Sequence, residues 1–161
     1  MDVTLREMDP TLRAELLARM LDDYVAQLVE RGVDEEQARA RARGQHEAAF
    51  PPDGSATAHR MFAILADGAA AGHLWMGPDG SGRDEAWFVW SIEVDQAFQH
   101  RGIGRRAMQL GEDYARERGA DQIGLNVMGD NAAALALYES LGYSTTVLAM
   151  RKALGADLTS P

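Results

Sequence analysis

The chain has 161 residues, a length that suits one domain with a sizeable core. Its 25 acidic residues outnumber 16 Lys and Arg, and the formal net charge of −9 argues against nucleic acid as the main partner and favours cationic substrates such as amines. The sequence contains no cysteine, which excludes disulfides, a cysteine nucleophile and thiolate metal sites.

The opening segment, Met1–Glu7, has the pattern of a strand and lacks the apolar core of a signal peptide. Val3 and Leu5 alternate with polar residues, which predicts a half-buried strand. No later segment approaches the length of an apolar membrane span. We therefore expect a cytoplasmic protein with no membrane partner.

Two helices are predicted next. Asp9 followed by proline gives an N-cap and a first helical residue, and apolar residues then recur at helical spacing until Gly32. Asp34 resembles the first residue of a capping box and begins a second helix, which ends at Phe50 before two prolines. This second helix has few large apolar residues, so we expect it to pack loosely and to border a binding site.

Three strands are predicted in the middle of the chain, at residues 61–66, 72–76 and 86–94. The third is almost continuously apolar, which favours a position in the centre of the sheet. Trp87 and Trp90 lie in this strand and are expected in the core. The alternative is that Trp75, Trp87 and Trp90 line an acceptor pocket for an aromatic or cationic group.

The last third of the chain alternates between helices and strands. A helix is predicted over residues 105–118, a strand over 122–127, a helix capped by Asp130 or Asn131 and ending at Gly142, and a closing strand over 143–150. The predicted domain spans residues 1–152, and residues 153–161 are expected to form a flexible tail.

Gly102 and Gly104 lie in the loop between the strand at residues 86–94 and the following helix. Glycines let consecutive backbone N–H groups converge on an anion at the start of a helix. Residues 96–111 include no acidic residue and carry three arginines, Arg101, Arg105 and Arg106. This positive segment in an acidic chain predicts a polyanionic ligand.

Several kinds of loop contain glycines at this spacing. A dinucleotide-binding strand runs directly into its glycine turn, whereas seven residues separate Val94 from Gly102 here. A Walker loop is excluded because the Gly-Lys-Ser/Thr sequence is missing. A turn that only joins a strand to a helix and a coenzyme A pyrophosphate loop both fit the residues.

Two motifs resemble those of the GNAT acetyltransferases. The family signature of Gln or Arg, two residues, Gly, one residue and Gly or Ala appears as Gln99-His100-Arg101-Gly102-Ile103-Gly104. A second motif follows, with Asn131, a helix, the pair Leu137-Tyr138 and the terminal Gly142-Tyr143. The resemblance covers roughly residues 59–152. It implies a mixed α/β fold with a mostly antiparallel sheet of six to seven strands, splayed between the fourth and fifth strands and flanked by about four helices.

By this resemblance acetyl-CoA is the cosubstrate. Its pantetheine arm would lie in the splay like an added strand, and its pyrophosphate would bind the backbone of the glycine loop. The residues that the resemblance assigns to the cofactor are Ile92, Glu93, Val94, Gln99, His100, Arg101, Gly102, Ile103, Gly104, Arg105, Asn131 and Tyr138. No metal is expected, because histidines and carboxylates are scattered without ligand spacing.

Two residues are assigned catalytic roles. Tyr138 matches the family tyrosine that protonates the leaving thiolate. In the branch that acetylates N-termini of ribosomal proteins, a glutamate precedes the motif asparagine by five residues, and Asn126 at that position cannot accept a proton. Glu93 is the best replacement as general base, since burial in an apolar strand would raise its pKa. Ser91 and His73 are lesser candidates that could order a chain of water molecules.

The resemblance thus predicts an acetyl-CoA-dependent N-acetyltransferase that acts on a primary amine of a small molecule by direct attack in a ternary complex. A peptide or protein N-terminal or lysine acetyltransferase is one alternative, disfavoured by Asn126. A non-catalytic acyl-CoA sensor is another, disfavoured by Tyr138. The resemblance also allows a homodimer, although no residue of the sequence specifies one.

Overall fold

The structure is a computed structural model that describes residues 1–30, 32–150 and 152. Its strands are β1 (Val3–Glu7), β2 (Arg60–Ala66), β3 (Ala69–Pro78), β4 (Ala86–Val94) and β5 (Gln122–Leu125). Its helices are α1 (Pro10–Glu30), α2 (Glu35–Ala49), α3 (Ile103–Arg116) and α4 (Ala132–Ser140), with a 3₁₀ turn at Gln96–Phe98. None of the helices within these ranges is both long and apolar enough to span a membrane.

The chain divides into two compact units, Met1–Asn126 and Val127–Pro161. The first unit holds the five-stranded sheet, in which the strands follow chain order from β1 to β5. The first four strands pair antiparallel and β5 pairs parallel to β4. The predicted mixed α/β fold with a mostly antiparallel sheet is confirmed. β3 is the middle strand, and β4, which we expected in the centre, lies one place further along.

The sheet has five strands in the described residues, where six or seven were expected. Residues 143–150, predicted as the closing strand, pair with no strand of the sheet, and Val147, Leu148 and Met150 are exposed. Thr and Val give this segment β propensity, but a strand forms only when a neighbouring strand supplies its hydrogen bonds. The tail predicted at residues 153–161 lies outside the described residues.

The predicted helix caps of the first two helices are confirmed. Oδ1 of Asp9 accepts hydrogen bonds from the N–H groups of Thr11 and Leu12 at 2.9 and 3.1 Å. Oδ1 of Asp34 accepts one from the N–H of Gln37 at 3.1 Å. Each cap satisfies amides that have no partner inside the helix, so these boundaries are fixed by local sequence.

The second helix is not loosely packed, contrary to the expectation from its composition. Ala38 and Ala42 are fully buried in a cluster with Val25 and Leu28 of α1. Small side chains let the two helices approach closely, so α2 buries area without large apolar residues. The prediction was wrong because it counted side-chain size and took no account of the partner helix.

α1 and α2 cover one face of the sheet, and α3 covers the other. Leu16 of α1 and Ala49 of α2 share a buried cluster with Trp75 of β3. On the other face, a Cβ added to Gly111 of α3 would lie 2.9 Å from Leu74 Cδ2. Successive side chains of a strand point to opposite faces, which explains why Leu74 and Trp75 meet different helices. His73, two residues before Trp75, shares the face of α1.

Gly72 is required by the close approach of β3 to β4. Its φ is +147°, and a Cβ there would lie 2.0 Å from the carbonyl oxygen of Glu93. The clash would be with backbone, which cannot rotate away as a side chain could. Gly72 therefore holds the end of β4 in register against β3.

We expect Gly72→Ala to destabilise the protein by about 3 kcal/mol, because it adds a steric clash to an unfavourable φ. Urea unfolding followed by circular dichroism measures the change. Gly44→Ala in α2 is the matched control, since a Cβ there meets nothing within 4 Å. It should stabilise the protein by about 0.5–1 kcal/mol through helix propensity. Equal stabilities for the two variants would contradict the close approach.

Candidate active site

β4 is paired on both sides only along its first half. Its pairing with β5 runs from Ala86 to Val89, whereas its pairing with β3 continues as far as Val94. Residues 90–94 therefore have one backbone edge that the sheet leaves open. This is the splay predicted between the fourth and fifth strands. An extended chain can bind such an edge through main-chain hydrogen bonds.

The backbone of Val94 faces the open edge. The N–H of Asp95 donates to the carbonyl of Ala71 on β3 at 2.9 Å. Backbone groups of successive strand residues point to opposite sides, so those of Val94 and Ile92 point away from β3, whereas those of Glu93 point toward it. The carbonyl of Val94 accepts a hydrogen bond from Nε2 of Gln99 at 2.9 Å. The N–H of Val94 is thus directed into the splay.

The chain leaves β4 through the 3₁₀ turn and enters α3 through two residues with left-handed backbone. His100 has φ +59° and Gly102, the N-cap of α3, has φ +76°. A Cβ at Gly102 would meet nothing within 4 Å, so the backbone conformation is what favours glycine here. α3 begins at Ile103, two residues before the predicted start.

Unpaired amides collect at the end of this loop. The N–H groups of residues 100–104 donate to no backbone carbonyl in the described part of the chain. The first turn of a helix also carries the positive end of its dipole. Arg101 and Arg106 are exposed nearby, and the Arg101 guanidinium lies 5.8 Å from the centre of the Phe98 ring. The loop has the groups that a phosphate needs.

Two polar side chains meet on the face of the sheet that α1 covers. Nε2 of His73 lies 2.8 Å from Oγ of Ser91, which belongs to the open part of β4. Burial lowers the pKa of His73 below 6.5, and the charge of Arg19 acts in the same direction, while Glu93 and Asp95 oppose the shift. The imidazole is therefore neutral at neutral pH. We expected Ser91 and His73 to be lesser candidates, because the sequence does not reveal the contact between their side chains.

Glu93 differs from the expectation. Its side chain is exposed, whereas the sequence argument placed it in an apolar and buried strand. The burial on which its role as general base was argued is therefore absent. Glu93 lies opposite His73 in the ladder between β3 and β4.

Aromatic rings pack beside these groups. Trp87 is buried, as predicted, whereas Trp90, also expected in the core, is half-buried. Trp90 stacks on the buried Trp75 with ring centres 5.9 Å apart. Nδ1 of His59 accepts a hydrogen bond from Nε1 of Trp75 at 3.3 Å. Burial, with a smaller contribution from the charge of Arg60, lowers the pKa of His59 to about 4. His59 therefore has a structural role in this cluster.

The remaining predicted residues belong to the second compact unit. Oδ1 of Asn131 accepts a hydrogen bond from the N–H of Ala134 at 3.1 Å, which confirms it as the N-cap of α4. The ring of Tyr138 lies 5.8 Å from that of Tyr143. Burial raises the pKa of Tyr138 above 10, so its phenol keeps its proton at neutral pH.

A surface groove lies apart from the predicted residues. Its volume is about 320 Å³ and it is lined by Ala58, Arg60, Pro78, Asp84, Trp87 and Arg118. None of the cofactor or catalytic residues named from the sequence lines it. Among the residues with described positions, no group of three histidines or carboxylates is placed to hold a metal.

Comparison with known proteins decides the family. A family model described as Acetyltransferase (GNAT) family matches residues 17–143. The chain belongs to the GNAT acetyltransferases. It is accordingly an acyltransferase of a family whose cosubstrate is acetyl-CoA.

Related GNAT sequences differ in acceptor. The chain is 31% identical to the uncharacterized N-acetyltransferase YdgE of Bacillus subtilis over 121 residues, which span 74% of this chain and 77% of YdgE. It is 31% identical over 123 residues to a mycothiol acetyltransferase of Saccharomonospora viridis, covering 73% of this chain and 39% of that protein. It is 43% identical over 65 residues to the ribosomal protein bS18-alanine N-acetyltransferase of Salmonella typhimurium, covering 40% of this chain and 43% of that protein.

Solved structures support the fold. The crystal structure of YycN from Bacillus subtilis matches with a TM-score of 0.79, covering 96% of this chain and 100% of that chain. The sequence identity is 20%, so this likeness concerns the fold alone.

We expect stability to fall as the pH is lowered from 6.5 toward 4, partly through His59. Its pKa is about 4 in the folded protein against 6.5 for an ordinary histidine, so over this range the unfolded chain binds the proton more readily. Thermal unfolding at pH 7 and pH 4.5 measures the loss. His59→Gln keeps an acceptor for Trp75 and should reduce the pH dependence. An unchanged dependence would contradict the burial of a neutral His59.

Proposed function

We propose that this GNAT enzyme transfers the acetyl group of acetyl-CoA to a primary amine of a small molecule by direct attack in a ternary complex. The observation that carries the proposal is the open edge of β4, which leads directly into a glycine loop whose amides at residues 100–104 donate to no backbone carbonyl in the described part of the chain. The family model spans residues 17–143 and so includes parts of both compact units, which supports residues 1–152 as one acetyltransferase domain.

The cosubstrate would lie along this edge with its phosphates on the loop. The backbone of Ile92 and Val94 is directed to the side where a pantetheine arm can pair. Amides of residues 100–104 would bind the pyrophosphate, with Arg101 and Arg105 adding positive charge and Gln99 fixing the loop to β4. By family resemblance, Asn131 and Tyr138 also contact the cofactor.

The N–H of Val94 is our proposed donor to the thioester oxygen. A fixed donor at that position stabilises the negative charge that develops when the amine attacks. The carbon–sulfur bond then breaks, and the thiolate needs a proton. We propose that Tyr138 supplies it, because burial keeps its phenol protonated at neutral pH.

Glu93 would attract the acceptor. An exposed carboxylate at the open part of β4 offers an opposite charge to an ammonium group before it loses its proton. This role does not require the side chain to be buried. The acidic chain as a whole, with a net charge of −9, favours the same class of substrate.

The relatives support two acceptor classes. One is a small thiol-containing molecule, from the mycothiol acetyltransferase, and the other is a protein N-terminus, from the bS18-alanine acetyltransferase. We favour the small molecule because Asn126 occupies the position at which the second branch has a glutamate. A peptide N-terminus is the second candidate.

Release of free thiol from acetyl-CoA tests the acceptor. We expect turnover with at least one of a panel of polyamines, amino acids, aminoglycosides and amino sugars carrying cysteine. A peptide with N-terminal alanine should react at least about tenfold more slowly in kcat/KM, a difference of about 1.4 kcal/mol in transition-state free energy. Turnover with the peptide alone would show that the acceptor is a peptide N-terminus. Absence of turnover with every amine would contradict the interpretation as an enzyme and leave a protein that only binds acyl-CoA.

Tyr138→Phe tests the proposed proton donor, because it removes only the oxygen atom of the phenol. It should lower kcat about 100-fold while binding of acetyl-CoA stays within a few-fold of wild type. An unchanged kcat would contradict the assignment of Tyr138.

A further inference from the structure

His73 stands apart from the rest of the described core. Of all residues with described burial, it alone is both buried and polar, with 6% of its surface exposed. Its contact in the structure is with Oγ of Ser91, at 2.8 Å. A buried imidazole needs a hydrogen-bond partner, and here the partner is a hydroxyl on the strand whose edge is open.

Ser91 lies in the open part of β4. It is half-buried, it follows the end of the pairing between β4 and β5, and it precedes Val94 by three residues. Ser91 pairs with Trp75 and His73 pairs with Glu93 across the ladder. Their side chains therefore share one face with the Glu93 carboxylate, on the side of the sheet that α1 covers.

The groups around His73 suit a base that is neutral at rest. Burial keeps the imidazole uncharged, and Arg19 of α1 acts in the same direction. Glu93 of β4 and Asp95 just beyond it carry the opposite charge and would stabilise an imidazolium once it forms. From β2, the residue opposite His73 is Ala63, which adds no charge.

We propose that Ser91 and His73 together accept the proton of the acceptor amine, an inference that rests on the proposed function. The ammonium first loses one proton to solvent, so that a free amine attacks. The amine nitrogen then forms a bond to the acetyl carbon, and the carbon–sulfur bond breaks with its electron pair on sulfur. The thiolate takes the phenol proton of Tyr138, and the phenolate regains a proton from solvent. The nitrogen gives its proton to Oγ of Ser91 while the hydroxyl proton passes to Nε2 of His73. The imidazolium then returns its proton to solvent.

Attraction of the ammonium and transfer of the amine proton are thus assigned to different residues. Glu93 draws the ammonium to the open edge, and Ser91 contacts the nitrogen. His73 acts through Ser91 and is a positioning residue that holds the proton. A hydroxyl between the amine and the imidazole also keeps the imidazolium out of direct contact with a cationic substrate.

The test is the pH dependence of kcat for the best amine, in wild type and in His73→Gln and Ser91→Ala. Wild type should lose activity as the pH falls through the pKa of His73, which lies below 6.5. Each variant should lower kcat about 100-fold, the usual contribution of a general base, with KM for acetyl-CoA unchanged. In each variant, kcat should then rise with pH over the whole range, because hydroxide from solvent must take the proton of the amine.

Two matched variants isolate the pair. Ser91→Thr keeps the hydroxyl and suits a strand, so it should restore the wild-type profile to within a few-fold. His46→Gln changes a different, half-buried histidine whose ring lies 5.6 Å from that of Trp75, and it should keep the acid limb. Glu93→Gln should raise KM for the amine and keep the acid limb, shifted to lower pH, because the Glu93 charge raises the pKa of His73.

Three results would contradict the proposed role of Ser91 and His73. A wild-type profile in Ser91→Ala would overturn the pair, even if His73→Gln failed to fold. Ser91→Thr as slow as Ser91→Ala would also overturn it, since the hydroxyl would then not be the reason. Absence of turnover by the wild type with every amine would overturn the proposed function, and with it the role of the pair.

Discussion

The early end of β5 is the constraint on which the site depends. β5 stops at Leu125, opposite Val89, while β4 continues to Val94 against β3. The rest of β4 therefore pairs with β3 on one side, and its other backbone edge is open. Gly72 secures the held side through its close approach to Glu93. An extended ligand can complete the sheet at the open side without rearranging the core.

The charges divide the site into two ends. The loop before α3 gathers amides and arginines in a chain whose net charge is −9, so it is suited to phosphates. Glu93 and Asp95 are exposed at the end of β4 and, under the proposed function, attract a cationic amine. Burial keeps His73 neutral. The proposed substrates would thus meet charge of the opposite sign before any bond is made.

Local signals in the sequence predicted much of the fold. The caps at Asp9, Asp34 and Asn131 depend on neighbouring residues only, and β4 has the predicted bounds, Ala86–Val94. The family resemblance predicted the splay, which is confirmed, and it assigned the cofactor to the glycine loop, which stays a prediction. The exposure of Glu93, the close packing of α2 and the lack of pairing at residues 143–150 depend on partners distant in sequence, so composition and propensity could not supply them. The contact between His73 and Ser91 depends on register across two strands for the same reason.

Calorimetry of acetyl-CoA binding tests the central claim, that the glycine loop holds the phosphates. Gly102→Asp and Gly102→Asn place side chains of nearly equal shape at a left-handed position that both tolerate, and they differ by one charge. The Asn variant should bind within a few-fold of wild type. The Asp variant should bind at least about tenfold more weakly, since a carboxylate near phosphate costs about 1–4 kcal/mol. Equal affinities for the Asp and Asn variants would contradict the claim.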